Sequence, residues 1–308
     1  MRFTVLASGS AGNASLLETN GFGLLLDLGL GPRQLAARLA AVGASWQSVH
    51  AAVLTHTHSD HWNDRTLAHL LRRHVPLWCH PRHEPGLLEW SPIFPRMREA
   101  RLVRHFEASG DFEPAPGLRC RPLPVRHDGG PTFGFRVEEA SDLFGPSRAL
   151  GYAADLGSWD ADLLAALLDV DLLALEFNHD VRMEQTSGRH PRLIARVLGD
   201  HGHLSNAQAA ALLGEVLRRS SPGRLKHVVQ LHLSRHCNRA ELALEAARAA
   251  LAGCEPMPQV YTARQDEPGP TLHVGRSANG TAPTPRRPRK TARGAGSRHP
   301  MLPGVEWE

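Results

Sequence analysis

The chain has 308 residues, with 35 Lys and Arg against 31 Asp and Glu, a net charge of +4, 19 histidines and 4 cysteines. A hydrophobic fraction of 42% and a charged fraction of 21% exclude wholesale disorder, and the length allows one large domain or two small ones. No apolar run reaches the ~18 residues that span a bilayer, and the four scattered cysteines indicate neither a disulfide framework nor a cysteine zinc site, so a cytoplasmic protein without membrane contact is expected.

In chain order, Phe3–Ala7 and Ala14–Glu18 read as strands flanking the turn-forming run Ser8-Gly9-Ser10-Ala11-Gly12-Asn13. Phe22–Leu26 follows after Asn20-Gly21, which gives an antiparallel start. Pro32 opens a helix with Leu35, Leu39 and Val42 on one face and Gly43 as its stop. Ala51–Leu54 is a buried-type strand. Leu102–Phe106, Leu118–Val125, Phe133–Val137, Ala149–Ala153 and Leu172–Glu176 are further strands, with a helix at Ala161–Leu168. Helices at Pro191–Leu198, Asn206–Arg219 and Arg239–Leu251 surround a strand at His227–Leu231, and Gln259–Ala263 with Thr271–Val274 reads as a closing hairpin. Strands mixed with helices at both ends predict sheets covered by helices in one domain, residues 1–274.

From Gly275 to Glu308 the chain is rich in Pro, Gly, Thr and Arg, with seven basic residues and two acids. This segment is expected to be a disordered basic tail. Its local charge of +5 leaves −1 for residues 1–274, so the overall basic balance says little about the body.

The densest chemical signal is Thr55-His56-Thr57-His58-Ser59-Asp60-His61, directly after a strand. Side chains at i and i+2 of an extended segment point the same way, so His56 and His58 can converge on one cation. The following turn lets Asp60 and His61 face a second position. Imidazole with carboxylate suits zinc or manganese, zinc first. A second cluster lies in residues 72–105, where Arg72, Arg73, Arg82, Arg96, Arg98, Arg101 and Arg104 outnumber Glu84, Glu89 and Glu99. Trp78, Trp90 and Phe94 are interleaved and could stack on bases. The competing reading is a solvated charged face over ordinary core aromatics.

The HxHxDH motif after a strand resembles the signature of the metallo-β-lactamase fold superfamily, which implies an α/β four-layer αββα sandwich. The resemblance extends to other positions, each at a strand end. Asp27 matches the aspartate that orients a metal-bound histidine, with a simple turn role as the alternative. His127 matches the third ligand of the first metal, and Asp155 the carboxylate shared between two metals, with a helix N-cap as its alternative. His232 matches the histidine completing the second metal. His203, in Gly202-His203-Leu204-Ser205-Asn206, matches a proton donor or phosphate contact, and Glu176 the glutamate that polarises it. The Ser8–Ala14 run, Leu175-Glu176-Phe177-Asn178-His179-Asp180 and His232-Leu233-Ser234 resemble the YycJ/WalJ-type exonuclease group.

That resemblance implies a dinuclear phosphodiester hydrolase, a 5′-to-3′ exonuclease on DNA associated with repair. Its nucleophile would be a metal-bridging hydroxide that Asp60 helps orient, and its cofactors two divalent ions. Arg72, Arg73, Arg96, Arg98, Asn178 and His179 are the expected substrate contacts. The alternative is a small-molecule hydrolase of the same fold, cleaving a thioester, lactone or cyclic phosphodiester. The Arg235-His236-Cys237-Asn238 run departs from the more polar sequence expected after His232-Leu233-Ser234.

Overall fold

A computed structural model describes residues 1–139 and 148–275. The expected basic tail lies outside them apart from Gly275. The first half of the chain runs β1 (Arg2–Ala7), β2 (Ala14–Thr19), β3 (Phe22–Leu26), α1 (Pro32–Ala41), β4 (Ala51–Val53), α2 (Asp64–Arg73), β5 (Leu77–Cys79), α3 (Glu84–Trp90), α4 (Phe94–Glu99) and β6 (Val103–His105). The second half runs β7 (Phe112–Ala115), β8 (Leu118–Val125), β9 (Thr132–Glu139), β10 (Arg148–Ala153), α5 (Ala161–Ala166), β11 (Leu172–Glu176), α6 (Val181–Gln185), α7 (Pro191–Leu198), α8 (Asn206–Arg219), β12 (His227–Leu231), α9 (Ala240–Leu251), β13 (Gln259–Thr262) and β14 (Leu272–His273).

Two seven-stranded sheets result, ordered β14-β1-β2-β3-β4-β5-β6 and β13-β12-β11-β10-β9-β8-β7. The turn between β2 and β3 uses Asn20 and Gly21 at φ of 47° and 79°, the left-handed pair that matches the twist of a tight hairpin. Strand alternation then sorts side chains into layers. Leu24 and Leu26 of β3 join Val53, Phe135, Leu150, Leu172 and Val229 between the sheets. Leu25 points the other way, onto Leu35 and Leu39 of α1 and Leu67 and Leu70 of α2. In the second sheet Leu173 and Leu175 pack outward with Leu212, Leu213 and Val216 of α8 and Ala243, Ala247 and Leu251 of α9. Helix, sheet, sheet, helix is the expected αββα order.

The central strands β10 to β13 are parallel, which explains why β10 and β11 read as continuous apolar runs covered on both faces. Caps set the helix starts. Asn63 accepts from Arg65 N and Thr66 N to begin α2, and Ser205 forms a reciprocal capping box with Gln208 to begin α8. The closing hairpin is not formed. β13 pairs in parallel with β12, whereas β14 pairs antiparallel with β1, so the last two strands complete different sheets. The short elements α2, β5, α3, α4, β7 and α6 have no counterpart in the sequence reading.

Candidate metal centre

Strand direction brings the chemistry to one edge. β1, β3, β4, β8, β10, β11, β12 and β13 all end on the same side of the sandwich. Asp27 follows β3, the His56–His61 run follows β4, His127 follows β8, Asp155 follows β10, Glu176 ends β11 and His232 follows β12. Asp27, Asp155 and His232 sit at φ of 62°, 54° and 54°. This left-handed backbone is costly for side chains other than glycine. It turns each residue sharply out of its strand.

Four overlapping groups of donor atoms meet there, two of which share no residue. His56, His58 and His127 form one, with His56 Nε2 3.0 Å and His127 Nε2 3.3 Å from His58 Nδ1. Asp60, His61 and His232 form the other, with Asp60 Oδ2 3.2 Å from His232 Nε2 and 3.5 Å from His61 Nε2. Asp155 stands beside both: its oxygens lie 2.8 Å from His61 Nε2 and 3.3 Å from His232 Nε2, and it also groups with His56. His232 groups with Asp60 and His61, and a further group joins His203 and His232 with Asp155 and Glu176.

The donor set fits divalent cations. Asp155 Oδ2 is buried and, despite its approach to His61, makes no hydrogen bond of acceptable geometry, a costly condition for a carboxylate without a further partner. Burial, reinforced by His61, pushes the His56 pKa well down. Burial likewise lowers His58 and His127, so these three imidazoles favour the neutral form a metal requires. Burial opposes charge on Asp155, but His232 and His61 outweigh it and hold the carboxylate ionised.

The surrounding shell orients these donors. Asp27 Oδ2 lies 2.8 Å from His61 Nδ1, and Asp27 in turn accepts from Thr55 N at 2.9 Å. His127 Nδ1 donates to the Gly202 carbonyl at 2.8 Å. Glu176 Oε1 is 2.7 Å from His203 Nδ1, while its Oε2 accepts from Leu156 N and Leu204 N, both at 3.1 Å. The His203 ring stacks on His232 with centroids 5.3 Å apart. Burial disfavours the charged form of His203, but Glu176 and then Asp155 overcome it and raise the pKa. The N-cap alternative for Asp155 fails, because Asp160 caps α5.

Several contributors are absent from the sequence-derived site. Asn13 Nδ2 lies 3.2 Å from Asp60 Oδ2 and 3.0 Å from His61 Nε2, with Asn13 Oδ1 accepting from Gly9 N. Ser8 Oγ accepts from His232 N at 2.8 Å. Both belong to the Ser8–Asn13 run, whose turn chemistry was visible but whose target was not. Asp128 approaches His58 and His127 Nε2 at 3.6 and 3.7 Å and is gripped by the Arg196 guanidinium.

The expected substrate contacts fare differently. Asn178 is buried and donates to the His232 carbonyl at 2.8 Å, which makes it a positioning group. His179 is fully buried, and neither ring nitrogen has a hydrogen-bond partner, so it offers no surface to a substrate. Arg72, Arg73, Arg96 and Arg98 are exposed. Arg73 donates to Trp46 O, and Arg98 pairs with Glu84 at 3.6 Å. These partners belong to the helical layer, not to the histidine cluster. Trp78 stacks on Phe112 and Phe94 is fully buried; of the three interleaved aromatics, Trp90 is the exposed one. The base-stacking expectation therefore fails for Trp78 and Phe94, because the inter-sheet and helical cores claim them. Among the described residues no helix is long and apolar enough to cross a membrane.

A family profile described as the Beta-lactamase superfamily domain matches residues 24–225. The chain is 28% identical over 244 residues to "Exodeoxyribonuclease WalJ" of Streptococcus pneumoniae, covering 79% of this chain and 85% of that protein. It is 27% identical over 246 residues to "Exodeoxyribonuclease YycJ" of Bacillus anthracis, covering 79% and 86%. The crystal structure of the metallo-β-lactamase fold protein YhfI from Bacillus subtilis superposes with a TM-score of 0.60 at 16% identity, covering 87% of this chain and 98% of that one. With the profile spanning most of both sheets and the histidines converging where the strands end, the chain belongs to the metallo-β-lactamase fold superfamily of hydrolases.

Proposed function

We propose that residues 1–274 form a dinuclear metal-dependent phosphodiester hydrolase, an exonuclease that degrades DNA from the 5′ end. The observation that carries the phosphodiester reading is the Glu176–His203 pair at 2.7 Å, set beside Asp155 and stacked on His232. The names of the WalJ and YycJ relatives supply the DNA and exonuclease parts. Divalent ions, zinc first and manganese second, held by His56, His58 and His127 and by Asp60, His61 and His232 with Asp155 shared, would polarise the phosphate and acidify water. Asp60 orients the attacking water. His203 has Nδ1 engaged by Glu176, which leaves Nε2 to donate to the departing oxygen, and Glu176 outweighs burial to favour the protonated ring. Arg196 and Asp128 border the same site.

The test compares linear DNA labelled at either end with generic ester and cyclic phosphodiester substrates, using metal-loaded protein. Glu176→Gln is expected to lower kcat on DNA by about 100-fold with KM and metal content little changed. A variant with undiminished kcat removes His203 from proton transfer. The second reading, a small-molecule hydrolase, draws support from the loss of Trp78 and Phe94 to the core. Robust ester cleavage without DNA cleavage would establish it in place of the first.

A further inference from the structure

Beside the histidine cluster runs a groove of about 460 Å³, bounded by Ser8, Ser234, Arg235, Arg239, Arg264 and Gln265. Its position follows from topology. Ser8 succeeds β1, Leu233 and Ser234 succeed His232 after β12, and Arg264 and Gln265 succeed β13, so the walls rise from the strand ends that carry the metal ligands. Ser8 is shared between the two, since its hydroxyl accepts from His232 N. Gln265 ties the opposite wall to the same loop, accepting from Ala11 N at 2.9 Å and donating to Gly12 O at 2.8 Å. That loop ends at Asn13, which touches Asp60 and His61. A molecule in the groove is therefore one short loop away from the reacting centre.

The charge of the groove is uneven in an informative way. Arg239 has no acidic partner among the described residues. Arg235 pairs with Asp266 at 2.8 Å, and Arg264 pairs with Glu267. Those carboxylates are 81% and 58% exposed, and such solvent-facing pairs are weak and easily exchanged. A phosphate oxygen entering the groove can take over the guanidinium forks while Asp266 and Glu267 swing into water. The other large cavity, about 480 Å³ around Thr19, Asn20 and Gly21, lies by strand direction at the far end of the sandwich.

We infer that this groove is a subsite for the phosphodiester backbone of a single DNA strand, holding phosphates next to the scissile one through Arg235, Arg239 and Arg264. The inference rests on the nuclease reading and adds where the rest of the substrate lies. It also reassigns substrate binding from the 72–105 arginines to residues following β12 and β13.

The test uses the metal-loaded full chain and a 20-nucleotide single strand with phosphorothioate linkages, read by fluorescence anisotropy across a salt series. Arg239→Ala/Arg264→Ala is expected to weaken binding at least about fivefold and to flatten the slope of log Kd against log salt by about 0.7 for each phosphate no longer neutralised. Arg219→Ala, an exposed charge at the end of α8, serves as the control and keeps the wild-type slope. Thermal melting of each variant separates weakened binding from impaired folding. If the wild type cleaves DNA while the double variant binds with wild-type affinity and slope, the groove assignment is overturned and the nuclease reading stands. If the wild type neither binds nor cleaves DNA, both fall together.

Discussion

Asp27, Asp155 and His232 each adopt a left-handed backbone directly after or near the end of a strand. Aspartate and asparagine tolerate that region better than most residues, because a short polar side chain can bond locally. This separates two effects at Asp27, whose carboxylate orients His61 and accepts from Thr55. Asp27→Asn keeps the backbone tolerance and loses the negative charge. It is expected to melt near the wild-type temperature while binding metal about 10–100-fold more weakly. Asp27→Ala loses both, so its melting temperature should drop as well. Metal titration beside thermal melting distinguishes the two variants, and equal melting points would remove the backbone contribution. The clustering of the HxHxDH donors was legible from the sequence because a period-two strand end brings them together locally. Asn13 was not, because it meets Asp60 across 47 positions through a turn whose direction only the assembled sheet defines.

At the scale of elements, connecting loops do as much as strands. The loop after β8 runs past His127 into Gly129, at φ 82°. A Cβ at Gly129 would stand 2.1 Å from His58 Nε2. Gly129→Ala combines an unfavourable backbone with a clash against a His58 ring nitrogen, at a cost of about 1–3 kcal/mol. Measured by metal analysis and chemical denaturation, it should lose the ion held by His56, His58 and His127 along with this stability. Full metal occupancy with unchanged stability would contradict the close approach. The closing hairpin failed at this scale. Two short apolar runs separated by a turn-rich stretch satisfy the local hairpin pattern, yet β13 and β14 each found an open edge in a different sheet. Local pattern cannot choose between an adjacent strand and a distant edge. The helices α2 to α4 were missed for a related reason. Their charged faces dominate residues 64–99, while the few buried positions, among them Leu67, Leu70, Leu87, Phe94 and Met97, show their role only against the first sheet.

In the whole molecule, the two sheets meet where their strand ends gather ionisable groups. Asp27, His56, His61, His127, Asp155, Glu176 and His232 are all buried, and such crowding is tolerable when the groups are paired or coordinate metal. Metal bound to the folded state alone stabilises it by linkage, about 2.7 kcal/mol at a free ion concentration of 100 Kd. Chelation is therefore expected to lower the melting temperature by several degrees, and re-addition of zinc or manganese to restore it, as read by scanning calorimetry. A melting temperature indifferent to chelator would argue against ions bound at this edge.

Residue types and spacing determined by themselves that this chain builds sheets covered by helices and that the His56–His61 run gathers donors at a strand end, because periodicity and the HxHxDH run are local properties. They determined, too, that the net charge of +4 belongs to the last residues and not to the body. Tertiary structure alone decided that Asn13 meets Asp60 and His61, that Trp78 stacks on Phe112 in the core, and which sheet each final strand completes. Those outcomes depend on contacts between residues tens to hundreds of positions apart, and such contacts exist only once both sheets have formed.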